Sequence, residues 1–242
     1  MDVKRLIKEY WNSRGESYDK SPGHVCLPDV WRSILSDVFD SKMMILDVGT
    51  GTGFLALILA ELGHEVVGLD ISESMLSVAR KKAEQKGLRI QFKLGDAENL
   101  PFKDDSFDAV ICRHLIWTLP NPKRALAEWA RVARHKVVVI DGKWMDSSLR
   151  TRIRKFVGRI LIGIYERRNP FKQFHYRREL NKALPFYGGA DMDIMLEMFR
   201  SVGLKPKVRD LMWVRDMQIK DMPFVYRIGW TKREYFMIEG FK

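Results

Sequence analysis

The stretch Ile45-Leu46-Asp47-Val48-Gly49-Thr50-Gly51-Thr52-Gly53-Phe54 decides how this chain folds. Its first half is a short apolar run of the kind that makes a strand buried on both faces. Glycines then alternate with threonines, and the apolar run from Phe54 to Ala60 reads as a helix stopped near Gly63. Strand, glycine turn and helix in that order put the glycines where a ligand can approach the backbone closely. The spacing is G-x-G-x-G; the dinucleotide fingerprint would need its third glycine at Phe54. Asp47 stands two positions before the first glycine. A diphosphate is held by helix N-terminal N–H groups without a neighbouring carboxylate, so this turn suits a ligand with a cationic group.

Outward from the turn, apolar runs at 65–70, 90–94, 107–112 and 136–141 read as further strands. Residues 74–86 and 122–133 fit helices between them, with Ser72 as the cap of the first. Before the turn, Leu6, Ile7, Tyr10 and Trp11 have helical spacing, and Val30, Ile34, Leu35 and Val38 give a second stripe. Strands alternating with helices mean βαβ units and a parallel sheet with helices on both faces. After Asp141 the rhythm breaks. A helix and a strand resume at 192–203 and 207–214, and 233–241 is a final strand. We expect one domain over 1–242, with an N-terminal helical lid at 1–40 and a basic helical insert at 143–190 over the strand ends.

Composition agrees with a globular chain: of 242 residues, 46% are hydrophobic and 30% charged. No apolar run approaches the roughly 20 residues of a membrane span, and the first residues lack a secretory h-region. Cys26 and Cys112 are far apart and form no CxxC, so neither a disulfide framework nor a metal site is expected, and a reducing cytoplasm is the default. Charge is more informative once located. Residues 1–142 balance 20 basic against 20 acidic, so the whole net charge of +11 lies in 143–242. Within 150–182 there are 11 basic residues against Glu166 and Glu179. Such a field concentrates anionic partners.

The glycine turn resembles motif I of the class I S-adenosylmethionine-dependent methyltransferases, and four more stretches are similar to the same family in order. Asp70, ending the second strand, resembles the acid that takes both ribose hydroxyls. Gly95-Asp96-Ala97-Glu98-Asn99-Leu100-Pro101-Phe102 resembles the adenine motif, with Asp96 and the Ala97 N–H facing the base. The run from Ser106 to His114 is similar to the fourth-strand motif facing the transferred methyl. Tyr10-Trp11-Asn12-Ser13-Arg14 with Tyr18-Asp19 resembles the N-terminal lid of the small-molecule, type 11-like members.

The resemblance implies an α/β doubly wound, seven-stranded, mostly parallel Rossmann-like sheet with its last strand antiparallel. It implies a methyltransferase that uses S-adenosyl-L-methionine and releases S-adenosyl-L-homocysteine. The cofactor-binding set it suggests is Trp11, Arg14, Tyr18, Asp47, Gly49, Thr50, Gly51, Gly53, Asp70, Ile71, Met75, Asp96, Ala97, Glu98, Arg113 and His114. His114 is also the candidate general base, if the acceptor must lose a proton. Aromatic faces at Trp11, Tyr18 or Trp117 suit a sulfonium cation.

The acceptor is less legible. The fourth-strand motif reads Cys112-Arg113-His114-Leu115, without the Asn/Asp-Pro-Pro-aromatic sequence or the Pro-Cys nucleophile of base methylation. A small-molecule acceptor is therefore expected, with Trp117, His175, Tyr176 and Arg177 as candidate substrate contacts suited to an anionic group. Leu149, Ile153, Phe156, Val157, Ile160, Leu161 and Ile164 share one helical face, with arginines largely elsewhere. That helix reads as a lid, a peripheral membrane contact or a nucleic-acid contact. Two alternatives stay open: an RNA or rRNA methyltransferase, and a non-catalytic partner protein that binds the cofactor. The sequence leaves the oligomeric state open.

Overall fold

The computed structural model describes residues 2–20, 23–143, 149–165, 167, 178–229 and 234–242. In chain order, α1 (Val3–Asn12), α2 (Gly15–Tyr18) and α3 (Pro28–Val38) lead into β1 (Met44–Val48), α4 (Phe54–Glu61), β2 (Glu65–Asp70), α5 (Glu73–Gln85) and β3 (Ile90–Leu94). Then come β4 (Phe107–Arg113), α6 (Pro122–Val132), β5 (Ala133–Gly142), α7 (Leu149–Tyr165) and α8 (Arg178–Ala183). The chain continues through α9 (Met192–Ser201), β6 (Lys205–Asp210), α10 (Met212–Asp221), α11 (Phe224–Gly229) and β7 (Tyr235–Phe241).

The seven strands lie in the order β3-β2-β1-β4-β5-β7-β6. β1 to β5 pair in parallel, and β7 is antiparallel to both β5 and β6. Strand alternation divides the core. Leu46, Val110, Val137 and Val139 face α6 and α9, where Trp129 and Phe199 are fully buried. Ile45, Ala109, Ile111 and Val138 face α3 and α4, against Trp31, Leu35 and Leu59. Sheets buried on both faces make apolar runs, which is why β1, β4 and β5 stand out in the sequence.

Helix ends follow local chemistry. Ser72 caps α5, its hydroxyl accepting from the Met75 N–H at 3.2 Å. α4 ends two residues before Gly63, whose φ of +91° only glycine adopts readily. At the far end the boundaries differ from the sequence reading. The strand expected at 207–214 is β6, two residues earlier, and 212–214 open α10. The Asp210 carboxylate accepts from the Met212 N–H at 2.8 Å and turns the chain there. β5 also starts at Ala133, directly after α6. Residue 233, expected to open the last strand, lies outside the described residues.

The N-terminal 40 residues divide. α3 is part of the core, with Trp31 and Leu35 fully buried, whereas α1 and α2 contact α5 above the strand ends. Within 143–190, α8 packs on α1 through Leu180, Leu184 and Ile7. α7 instead lies against α11.

Candidate active site

In an open parallel sheet, ligands sit beyond the carboxyl ends of the strands where the strand order reverses. Here the chain runs from β1 outward to β2 and β3, then returns to β4 on the other side. The crevice therefore opens above β1 and β4, at the glycine turn and at Arg113-His114. A cavity of about 80 Å³ occupies that place, with Trp11, Tyr18, Gly49, Gly51, Asp70 and Asp96 in its walls. Ile71, Met75, Ala97, Glu98, Arg113 and His114 also line it. Thus residues from α1, α2 and the loops after four strands, distant in sequence, meet at one point.

The turn is built for close approach. Gly49 has φ +67°, and a Cβ there would lie 2.7 Å from Leu115 Cδ1. Gly51 has φ +55°, and its missing Cβ would meet nothing nearer than the Gly49 carbonyl at 4.0 Å. Open space faces that backbone. Asp70 ties the turn to β2: its Oδ2 accepts from the Gly51 N–H at 2.8 Å and its Oδ1 from the Ser72 N–H at 2.9 Å. Burial raises its pKa to about 6, against the pull of these N–H donors.

Asp47 does not line the cavity. It is buried beneath the turn, where Oδ2 accepts from the Thr50 hydroxyl at 2.6 Å. Burial pushes its pKa up to about 7. Thr50, occupied by that bond, and Gly53, packed against Ala79, are also absent from the walls, and their part is to shape the turn. Arg14 likewise stands outside, in the α1–α2 turn, where its carbonyl accepts from the Tyr18 N–H at 2.9 Å.

The loop after β3 is held from two sides. Glu98 is buried, and its Oε1 accepts from the Asn121 N–H at 2.6 Å. The Ala97 carbonyl accepts from Trp129 Nε1 at 3.0 Å. From above, Lys4 Nζ reaches Asp96 Oδ2 at 2.5 Å and Glu98 Oε2 at 2.7 Å. Sequence reasoning did not single out Lys4. The available signal was its place one and two turns before Ile7 and Trp11 on α1, facing an acidic loop that needs a cation.

Aromatic side chains close the top. Trp11 lies edge-on to Tyr18 at 5.9 Å and to Trp117 at 6.0 Å between ring centroids. Trp117 braces Trp11 without lining the cavity. Arg113 stacks over Phe54 at 4.4 Å and Trp31 at 5.0 Å and donates to the His24 carbonyl. His114 has a left-handed φ of +58° and stacks on Tyr235 with centroids 5.5 Å apart. Burial first, then the neighbouring Arg113 and Arg215, hold its pKa well below the ordinary imidazole value, so the ring is neutral. His175, Tyr176 and Arg177 lie outside the described residues.

Strand order, an acid ending β2, a glycine turn ending β1 and a second acid after β3 together define the class I methyltransferase architecture. Residues 46–140 match the family described as "Methyltransferase domain", and the seven-stranded sheet has the fold of that family. Among relatives, the demethylmenaquinone methyltransferase of Thermus thermophilus is 48% identical over 106 residues, covering 42% of this chain and 48% of that protein. The ubiquinone biosynthesis O-methyltransferase of Coxiella burnetii is 33% identical over 129 residues, covering 53% and 54%. The chain thus spans about half the length of the curated relatives it matches. In fold, it is similar to magnesium protoporphyrin IX methyltransferase of Synechocystis, solved with bound SAH. That likeness has a TM-score of 0.62 at 18% identity and covers 100% of both chains.

Proposed function

We propose that this protein transfers the methyl group of S-adenosyl-L-methionine to a small, largely apolar acceptor and releases S-adenosyl-L-homocysteine. The observation that carries the reading is the convergence of Asp70, Asp96, Gly51 and Trp11 on one cavity at the switch point. The residues suit such a nucleoside. Asp70, above its pKa of about 6, is a carboxylate with unused lone pairs for two hydroxyls. Gly51 leaves room beside it, and Asp96 with the Ala97 backbone flanks the third strand end. When bound, the cofactor supplies the electrophilic methyl and so carries the hard chemistry.

The chain's own task is alignment and water exclusion, because transfer from a sulfonium is an in-line displacement. Trp11 and Tyr18 offer faces to a cation, worth roughly 0.5–2 kcal/mol each depending on desolvation. His114 is a wall rather than a proton acceptor in this reading, since a ring kept neutral so strongly is a poor base. Ile7, Leu115 and Leu119 give the remaining wall an apolar character. That character, with the quinone-related names of two relatives, supports a small apolar acceptor over a polyanion. Two unpaired cysteines support a reducing, cytoplasmic setting.

Calorimetry with S-adenosylhomocysteine tests the site. We expect Asp70→Ala to weaken binding about 10- to 100-fold, the cost of charge-assisted hydrogen bonds. Unaltered affinity would remove Asp70 from the site. Binding without methylation of any quinone- or phenol-type acceptor would favour the non-catalytic alternative. Methylation of RNA would favour the nucleic-acid one.

A further inference from the structure

A helix on a globular surface normally turns its apolar stripe inward. α7 does the reverse. Its buried members, among those described, are Gly158 and Gly163. Leu149, Ile153, Phe156, Val157 and Ile164 are instead 41–69% exposed. Their spacing of four, three, one and seven residues keeps them on one side at 3.6 residues per turn. The small inner residues let α7 lie close to α11, an approach marked by the Tyr165–Tyr226 ring contact at 6.3 Å. α11 adds Phe224, 72% exposed. The pairing is therefore satisfied, yet the long side chains remain in water.

The charge on α7 indicates what covers them. The helix carries Arg150, Arg152, Arg154, Lys155 and Arg159 and no acid. Arg150 and Arg154 are exposed beside the apolar stripe. Aliphatic side chains flanked by guanidinium groups match a bilayer surface, where the stripe enters the acyl boundary and the cations meet anionic headgroups. RNA would want a charged groove that tracks its backbone, whereas this face sets Leu149, Ile153, Val157 and Ile164 around Phe156 and Phe224. A second copy would bring five more cations against the first five. With no described helix long and apolar enough to cross a membrane, the contact lies in the plane of the surface.

We propose that the outward face of α7, with α11, docks this protein onto the surface of anionic lipid bilayers. The proposal stands apart from the methyl-transfer reading, because α7 does not line the cavity.

The test is flotation of the full chain with phosphatidylcholine vesicles, with and without phosphatidylglycerol. Binding should strengthen at least about tenfold with the anionic lipid and weaken with salt, as expected of several cations at a charged surface. Ile153→Glu with Ile164→Glu should abolish flotation, and Arg150→Glu with Arg154→Glu should remove the preference for phosphatidylglycerol. All four positions are exposed, as is the bond from Arg154 Nε to the Ile228 carbonyl at 3.3 Å, so thermal midpoint and S-adenosylhomocysteine affinity should stay nearly unchanged, which separates this test from that of the active site. In Phe156→Trp, emission should shift to the blue on adding anionic vesicles. Any of three results would overturn the proposal: no flotation of the wild-type chain, equal flotation of all variants, or a dimer dispersed by the same isoleucine substitutions.

Discussion

Asp70 carries three duties within a few ångströms: it ends β2, pins the Gly51 N–H and faces the cavity. Its burial makes these duties pH-dependent. With a pKa raised to about 6, the carboxylate prevails above that value and the neutral acid below it. Hydroxyl groups donate to the charged form more strongly. Affinity for S-adenosylhomocysteine should therefore be level above about pH 7 and fall up to about tenfold per unit below about pH 6. Asp70→Asn, which cannot titrate, should be weaker throughout and flat in the same titration; a parallel decline would move the effect elsewhere. The sequence made Asp70 and Asp96 legible because each follows an apolar strand in a series. Asp47, whose place before Gly49 suggested a ligand contact, lies beneath the turn and outside the cavity walls. The hydroxyl of Thr50, three residues on, donates to that carboxylate, a local bond no spacing rule contains.

Among the elements, α1 covers the cavity, with Lys4, Ile7 and Trp11 in its walls. The cavity is about 80 Å³, whereas pockets for ligands of nucleoside size run from roughly 300 to 1,000 Å³. In the lid reading α1 shifts as such a ligand enters, and one link that holds it is Lys4 on Asp96 and Glu98. Removing it should loosen the lid. In stopped-flow binding, Lys4→Ala should raise both association and dissociation rates about three- to tenfold, as expected where lid opening limits exchange. Unchanged rates would show that another contact gates entry. The bond joins residues 92 apart, so only the fold brings them together. Element type was readable where periodicity was strong, as in α1, α5 and β1 to β5. It failed at 211–214, where Leu-Met-Trp-Val is equally good as strand or helix start and a single Asp210 turn decides. β6, exposed on the sheet's edge, gives a weak signal for the same reason that buried strands give a strong one.

At the scale of the whole molecule, the charge is divided as the work is. The first 142 residues, electrically balanced, hold the described walls of the cavity, while the +11 lies beyond them. Cofactor affinity should thus be nearly independent of salt, whereas contacts of α7 with charged surfaces should not. A nucleic-acid partner would give a slope of about −0.7 per phosphate in a logarithmic plot of affinity against salt. We expect no measurable RNA binding at physiological salt by fluorescence anisotropy, and a steep slope there would return the RNA reading to first place. The location of this charge was plain in the sequence. The direction in which α7 turns its isoleucines was not, because a helical wheel gives a stripe without saying which side faces in.

The strand order carries one more consequence, for how the chain comes to be made. β7 is translated after β6 but lies between it and β5. While a nascent chain leaves the ribosome, β5 keeps a bare edge and β6 has no partner until β7 slides in and zips to both. An unpaired edge is a template for the wrong strand, so this interval is when the chain is most open to mispairing.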